Sequence, residues 1–102
     1  MLLYNVTIGI DKDTEEEWLS WIRTNHIPRI MQTGMFEQVR MYKVLQEDNE
    51  ETISYSVQYF AKSIDLVVQY LEAFAPKIME DHRVRFLHKH VVFNTLLEEV
   101  AL

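Results

Sequence analysis

FEQVRMYKVLQEDNEETISYSVQYF, residues 36–60, is the stretch whose reading decides the fold. Phe36 to Leu45 and Thr52 to Phe60 each alternate between apolar and polar side chains, the period of a half-buried strand. The polar run Gln46 to Glu51 between them reads as a hairpin loop, so the two strands are adjacent and antiparallel. Upstream, Leu2, Tyr4, Val6, Ile8 and Ile10 fall on one face of a third strand, with Leu3, Asn5, Thr7 and Gly9 on the other. Thr14 with Glu17 makes a capping-box pattern, and the helix it starts carries Trp18, Leu19, Trp21 and Ile22 as its apolar stripe. Pro28 lacks a donor and disfavours helical geometry at Ile27, so the helix is expected to bend or restart at His26, with Pro28 at the first position of a second short segment that a Gly34 cap ends. Downstream, Ile64, Val67, Val68, Leu71, Phe74 and Ala75 line a second helix, which Pro76 restarts through Ile78, Met79 and His82. Arg85 to Phe93 follows as a fourth strand.

The resulting order, β-α-β-β-α-β, is the ferredoxin-like arrangement of an α+β fold: a four-stranded antiparallel sheet with both helices on one face. With 102 residues the chain forms a single domain, 1–102, whose own core is small. The far face of the sheet would carry Asn5, Thr7, Ser54, Ser56 and Gln58, together with either Gln38, Arg40 and Tyr42 or their neighbours Val39, Met41 and Lys43. That mixture is too polar for a dry core, and no third helix is left to cover it. Two sheets closing face to face around a partly polar cavity satisfy both constraints, which predicts a homodimer.

Composition excludes several classes of function. The chain has no cysteine, which removes disulfides, thiolate nucleophiles and cysteine-ligated metal sites. A formal charge of -6 argues against nucleic acid and anionic membrane as partners, because both reward a basic surface. Arg23, Arg29, Arg40, Lys43, Arg83, Arg85 and Lys89 could still gather locally around an anionic ligand. No apolar run approaches the ~18 residues of a membrane span, and the first residues lack the basic start of a secretory signal, so a cytoplasmic location is expected.

The strings Tyr4-Asn5-Val6-Thr7, Glu17-Trp18, Trp21, His26-Ile27-Pro28, Thr33-Gly34, Phe36, Arg40, Val44 and Tyr55-Ser56-Val57-Gln58-Tyr59 resemble an uncharacterised bacterial family, domain-of-unknown-function family 4286. The resemblance covers nearly the whole chain and implies no assigned activity. At greater distance the element order is similar to the dimeric α+β barrel superfamily, whose members include small monooxygenases, haem-degrading enzymes and isomerase-like proteins. The haem-degrading members use a strand-one asparagine, a second-helix tryptophan and a histidine near that helix's end. Asn5 and His82 match the first and third, but Glu72 stands ten residues before His82 and the helix has no tryptophan, so no cofactor is expected.

His26 is a candidate acid/base or ligand contact at the helix break, and its competing role is to cap carbonyls freed by Pro28. His82 is a second acid/base candidate. His88 and His90, two apart on the expected strand, would share a face, but without a well-spaced third ligand no metal site is expected. Trp18, Trp21, Tyr4, Tyr55 and Tyr59 read as core. Arg40 with Tyr42 could hold a carboxylate or phenolate. No serine triad and no phosphate loop can be assembled. Three functions follow as expectations: binding of a small anionic or aromatic molecule in a cavity lined by Asn5, Thr7, His26, Arg40, Tyr42 and Gln58; a cofactor-free oxygenase or isomerase using His26 or His82; or an assembly module without ligand.

Overall fold

Strand β1, Leu2–Asp11, alternates without exception, burying Leu2, Tyr4, Val6, Ile8 and Ile10 and leaving the residues between them half-buried. It is one of the two central strands of an antiparallel sheet ordered β2-β3-β1-β4, with β2 at Gln38–Lys43, β3 at Thr52–Ala61 and β4 at His90–Glu98. The computed structural model describes residues 1–46 and 51–102, so most of the expected hairpin loop, Gln46 to Glu51, lies outside the described residues. The expected β-α-β-β-α-β order and α+β class hold. All helices lie on one face: α1 (Glu15–Trp21), α2 (Ile27–Met31), α3 (Ile64–Ala73) and α4 (Ala75–Arg85). Between them and the sheet, Tyr4, Phe36, Tyr59 and Tyr70 pack ring against ring at one end, with centroids 5.0–6.3 Å apart. Trp18 and Tyr55 meet at 5.1 Å nearer the other end.

A second short segment, α2, restarts after His26 with Pro28 in its first turn, as expected, but the helical backbone is not interrupted. Residues Ile22–His26 form a π-helical turn that joins α1 to α2, and Ile27 keeps helical angles (φ -63°, ψ -48°) despite the following proline. The reason is periodicity. Trp18, Ile22, His26 and Ile30 are all buried and lie four residues apart, whereas a regular α-helix turns about 40° too far with each such step. The wider turn, in which Ile27 N–H bonds to the Ile22 carbonyl five residues back, absorbs that excess and keeps all four side chains inward. Pro28, lacking an N–H, falls where the ladder returns to α spacing, so its missing donor coincides with a change of register.

Other expectations change for similar reasons. The Thr14 capping box does not form: a 3-10 turn at Lys12–Thr14 precedes α1, and the Thr14 hydroxyl donates to Asp13 instead. Helix α3 buries Val67 and Tyr70 and leaves Ile64, Val68 and Leu71 exposed, because the bulky phenol of Tyr70 joins the aromatic core and sets the rotation of the helix. Strand β4 starts at His90 rather than Arg85, since α4 continues through Arg85 to seat Phe86 in the core. His88 therefore lies in the intervening turn with φ 64°, and it shares no strand face with His90.

Gly34 ends the helical segment with φ 77°, and a Cβ added there would meet nothing within 4 Å. Only the backbone preference is at stake. Gly34→Ala should therefore lower stability by about 1 kcal/mol, read as a lower urea midpoint with an unchanged slope, and Gly34→Asn should recover part of the loss.

Candidate functional site

The sheet separates two chemically different layers. On the open face, strand pairing assembles rows of side chains across all four strands. Arg40, Gln58, Asn5 and Thr95 make one row, and Tyr42, Ser56, Thr7 and Phe93 make the next. Five expected ligand-binding residues, Asn5, Thr7, Arg40, Tyr42 and Gln58, are thus brought onto one face. The register also chooses between the two alternatives for β2: Gln38, Arg40 and Tyr42 face away from the helices, while Val39, Met41 and Lys43 pair with the buried positions of β3.

The centre of this face is a directed hydrogen-bond chain. Gln58 Nε2 donates to Ser56 Oγ (3.3 Å), Ser56 Oγ donates to Asn5 Oδ1, and Asn5 Nδ2 donates to Thr7 Oγ1 (3.0 Å). Each hydroxyl or amide in the chain spends one group on its neighbour, which leaves the Thr7 hydroxyl proton as the donor at its end. Beside Gln58, the Arg40 guanidinium lies over the Phe60 ring at 6.0 Å. With the Gln38 amide turned so that its oxygen faces Arg40, it accepts from Arg40 Nε and Nη2 at 2.9 and 3.0 Å. A cation and a hydroxyl donor therefore flank a chain of amides. Around them Val91, Phe93 and Leu97 expose a run of apolar surface along β4. The facing of Val91 and Phe93, and the place of Thr95 and Leu97 in the strand, are not legible in the sequence, because residues 90–98 show no clean alternation and the expected strand ends at Phe93.

His26 and His82 are not part of that face. Both lie in the helical layer, 4% and 0% exposed, with ring centroids 5.2 Å apart. The structure does not bring His26 to the cavity residues with which the sequence grouped it. Nor does it cap carbonyls, since among the described residues its side chain makes no hydrogen bond. His82 is held from α1: Trp18 Nε1–H donates to His82 Nε2 at 3.0 Å. Indole N–H only donates, so His82 is the tautomer protonated at Nδ1, and that atom has no partner among the described residues. His90 packs edge-on against His82 at 4.8 Å, and its Nδ1 meets the Phe86 carbonyl at 2.7 Å. Trp21 adjoins both His26 (5.2 Å) and His82 (5.7 Å), which places it at the edge of this cluster. Among the described residues no group of three or more His, Cys, Asp or Glu is placed to hold a metal ion.

Burial dominates the titration of both histidines. It pulls His82 down to about 3, with help from His26 and His90, and His26 down to about 4, with help from Arg29. Both are neutral at pH 7. Outside the cluster, a groove of about 790 Å³ runs between α4 and the α1–α2 segment, and His26, Trp21, Arg29, Asp81 and Arg85 line it.

This is the ferredoxin-like α+β fold found in dimeric ferredoxin-like proteins. A dimeric ferredoxin-like protein from an uncultured marine organism matches with a TM-score of 0.68 at 10% identity, over 100% of this chain and 97% of that one. A NIPSNAP domain protein from Burkholderia xenovorans matches at 0.70 with 15% identity, over 99% and 96% of the two chains. SnoaB, a cofactor-independent oxygenase from Streptomyces nogalater, matches in a mutant form at 0.65 with 12% identity, over 99% and 95%. By sequence, the chain belongs to the family described as domain of unknown function DUF4286, which matches residues 1–100. No curated protein matches it significantly. Among the described residues no helix is long and apolar enough to cross a membrane.

The neutral histidines make stability depend on pH. Their folded pKa values lie below the ordinary 6.5, so the unfolded chain takes up protons first as pH falls. The stabilisation is complete above about pH 6.5 and is lost progressively toward pH 4 and 3, at roughly 2 kcal/mol per histidine by pH 5. Urea denaturation should show this decline, and His82→Leu should remove about half of it. In a second test, Trp18→Phe leaves both His82 nitrogens without partners and should cost about 2–4 kcal/mol. The pair should be strongly non-additive: Trp18→Phe should cost much less in a His82→Leu background.

Proposed function

We propose that the chain acts as a homodimer in which the open faces of two sheets close on each other and hold a small anionic or aromatic molecule. The ligand lies against Asn5, Thr7, Arg40, Tyr42 and Gln58. The observation that carries this reading is the directed chain from Gln58 through Ser56 and Asn5 to Thr7, set on a sheet face that, among the described residues, no helix covers. A chain of this kind left in open water would gain little, because water satisfies each member equally well. Enclosed by a second sheet, its terminal Thr7 donor and the Arg40 cation favour an anion, as charge-assisted hydrogen bonds strengthen in a drier site. The exposed Val91, Phe93 and Leu97 supply the apolar contact of the dimer. Dimeric ferredoxin-like proteins of the same fold support that mode of assembly.

An oxygenase or isomerase reading draws support from the fold of SnoaB alone. With His26 or His82 as its acid/base it would have to operate within the helical layer, where His82 is sealed from solvent and its Nε2 is occupied. The ligand-binding reading is therefore preferred.

Sedimentation at micromolar concentration should give a dimer, and Phe93→Asp should give a folded monomer. A screen of small carboxylates and phenols by thermal shift should find a compound that raises the melting temperature of the wild type. That shift should be lost in Arg40→Ala and reduced in Thr7→Val. A wild-type monomer overturns the assembly; a dimer that no compound stabilises leaves the fold as an assembly module without ligand.

A further inference from the structure

The groove between α4 and the α1–α2 segment has an uncommon floor. The His26 ring is almost entirely buried, yet the little surface it keeps opens into the groove, and among the described residues neither of its nitrogens has a hydrogen-bond partner. Neither nitrogen is fully sealed, since among the described residues the buried side-chain atom left without a partner is His82 Nδ1, so water meets the His26 nitrogens in the free protein and a ligand can take its place. The chain also maintains a π-helical turn that ends at His26 and keeps it inward, and such turns recur at functional sites. His26 stays neutral because burial and Arg29 both oppose its protonation, so it offers one N–H donor and one bare nitrogen.

The walls complement this floor. Trp21 stacks beside His26 at 5.2 Å, and the Arg85 guanidinium lies over the Trp21 ring at 5.5 Å. Among the described residues the one carboxylate Arg85 approaches is the exposed Glu17, at 3.9 Å, so most of its donors remain available. Across the groove, Arg29 gives Nη1 to Asp81, which also holds Lys77. Asp81 is thus occupied on both sides, and Glu80, the other carboxylate lining the groove, is held by Arg83 at 2.7 and 3.0 Å, so the lining keeps three cations, Arg29, Lys77 and Arg85, against two paired carboxylates in a chain of net charge -6.

We propose that this groove is a second small-molecule site, distinct from the open sheet face, that takes an aryl carboxylate: the carboxylate on Arg85 and Arg29, the ring beside Trp21, and His26 hydrogen-bonding from the floor. Arginine suits a planar carboxylate because its fork of donors matches the two oxygens. An apolar ring is required as well, since a bare anion would leave the Trp21 and Val84 surfaces of the groove wet.

Benzoate is the probe, with benzamide as the uncharged control, and the ring nitrogen signals of His26 in the full chain at pH 7 are the readout. Benzoate should shift those signals saturably by ~10 mM, the concentration that mostly fills a site with a Kd of about 1 mM. Benzamide should not. Arg85→Ala, which removes a half-exposed side chain lying over the Trp21 and Phe86 rings, should weaken the effect by about tenfold or more, whereas Arg40→Ala on the opposite face should leave it unchanged. The absence of a saturable shift overturns the proposal. So does a shift that survives Arg85→Ala, or one that disappears in Arg40→Ala, because either places the anion elsewhere.

Discussion

The hydrogen bond from Trp18 to His82 is the constraint on which the rest of the helical layer depends. It ties the first helix to the last across the dry interior, and both partners are fully buried, so neither can exchange it for water. The bond fixes His82 as the neutral Nδ1–H tautomer and holds α4 in place beyond Pro76. Because α4 must then run on through Arg85 to place Phe86 in the core, the chain needs the turn at residues 86–89 before it can re-enter the sheet. That turn delays β4 to His90, and the delay decides that Val91, Phe93, Thr95 and Leu97 face away from the helices. A single interior bond thereby sets the composition of the opposite face of the sheet.

The sheet acts as a partition between two kinds of polar chemistry. In the helical layer the polar groups are histidines kept neutral by burial, packed among Trp18, Trp21 and Phe86. The His82 Nδ1 left without a partner among the described residues carries a cost, and acid adds to it, since protonation of both rings would place like charges 5.2 Å apart in a dry setting. On the open face the polar groups are amides and hydroxyls that satisfy one another along a chain and titrate at no ordinary pH. Stability should therefore follow the histidines rather than the open face.

Structures that share the fold at 10 to 15% identity show what this architecture requires and what it leaves free. Alternating strands, two helical segments on one face and a hairpin in the middle suffice for the backbone. Oxygenase activity in one such protein belongs to residues mounted on that backbone, and fold likeness alone does not transfer it.

By itself the sequence determined the element order, the buried faces of β1 and β3, the aromatic core and the Gly34 cap, because each rests on local periodicity or on backbone geometry that few residues can adopt. It also grouped Asn5, Thr7 and Gln58 correctly, since alternation assigns faces along a strand whose limits are clear. What it could not determine depended on partners distant in sequence. Pro28 looked like a helix break because the local rule is sound, and only the burial of Trp18, Ile22, His26 and Ile30 together makes a π turn the better solution. His26 looked like a cavity residue because its neighbours in sequence suggested a break opening toward the sheet, whereas packing against Trp21 and His82 places it on the other side. The face of β2 and the start of β4 are matters of register and of helix length, and both are set by contacts across tens of residues that no local pattern encodes.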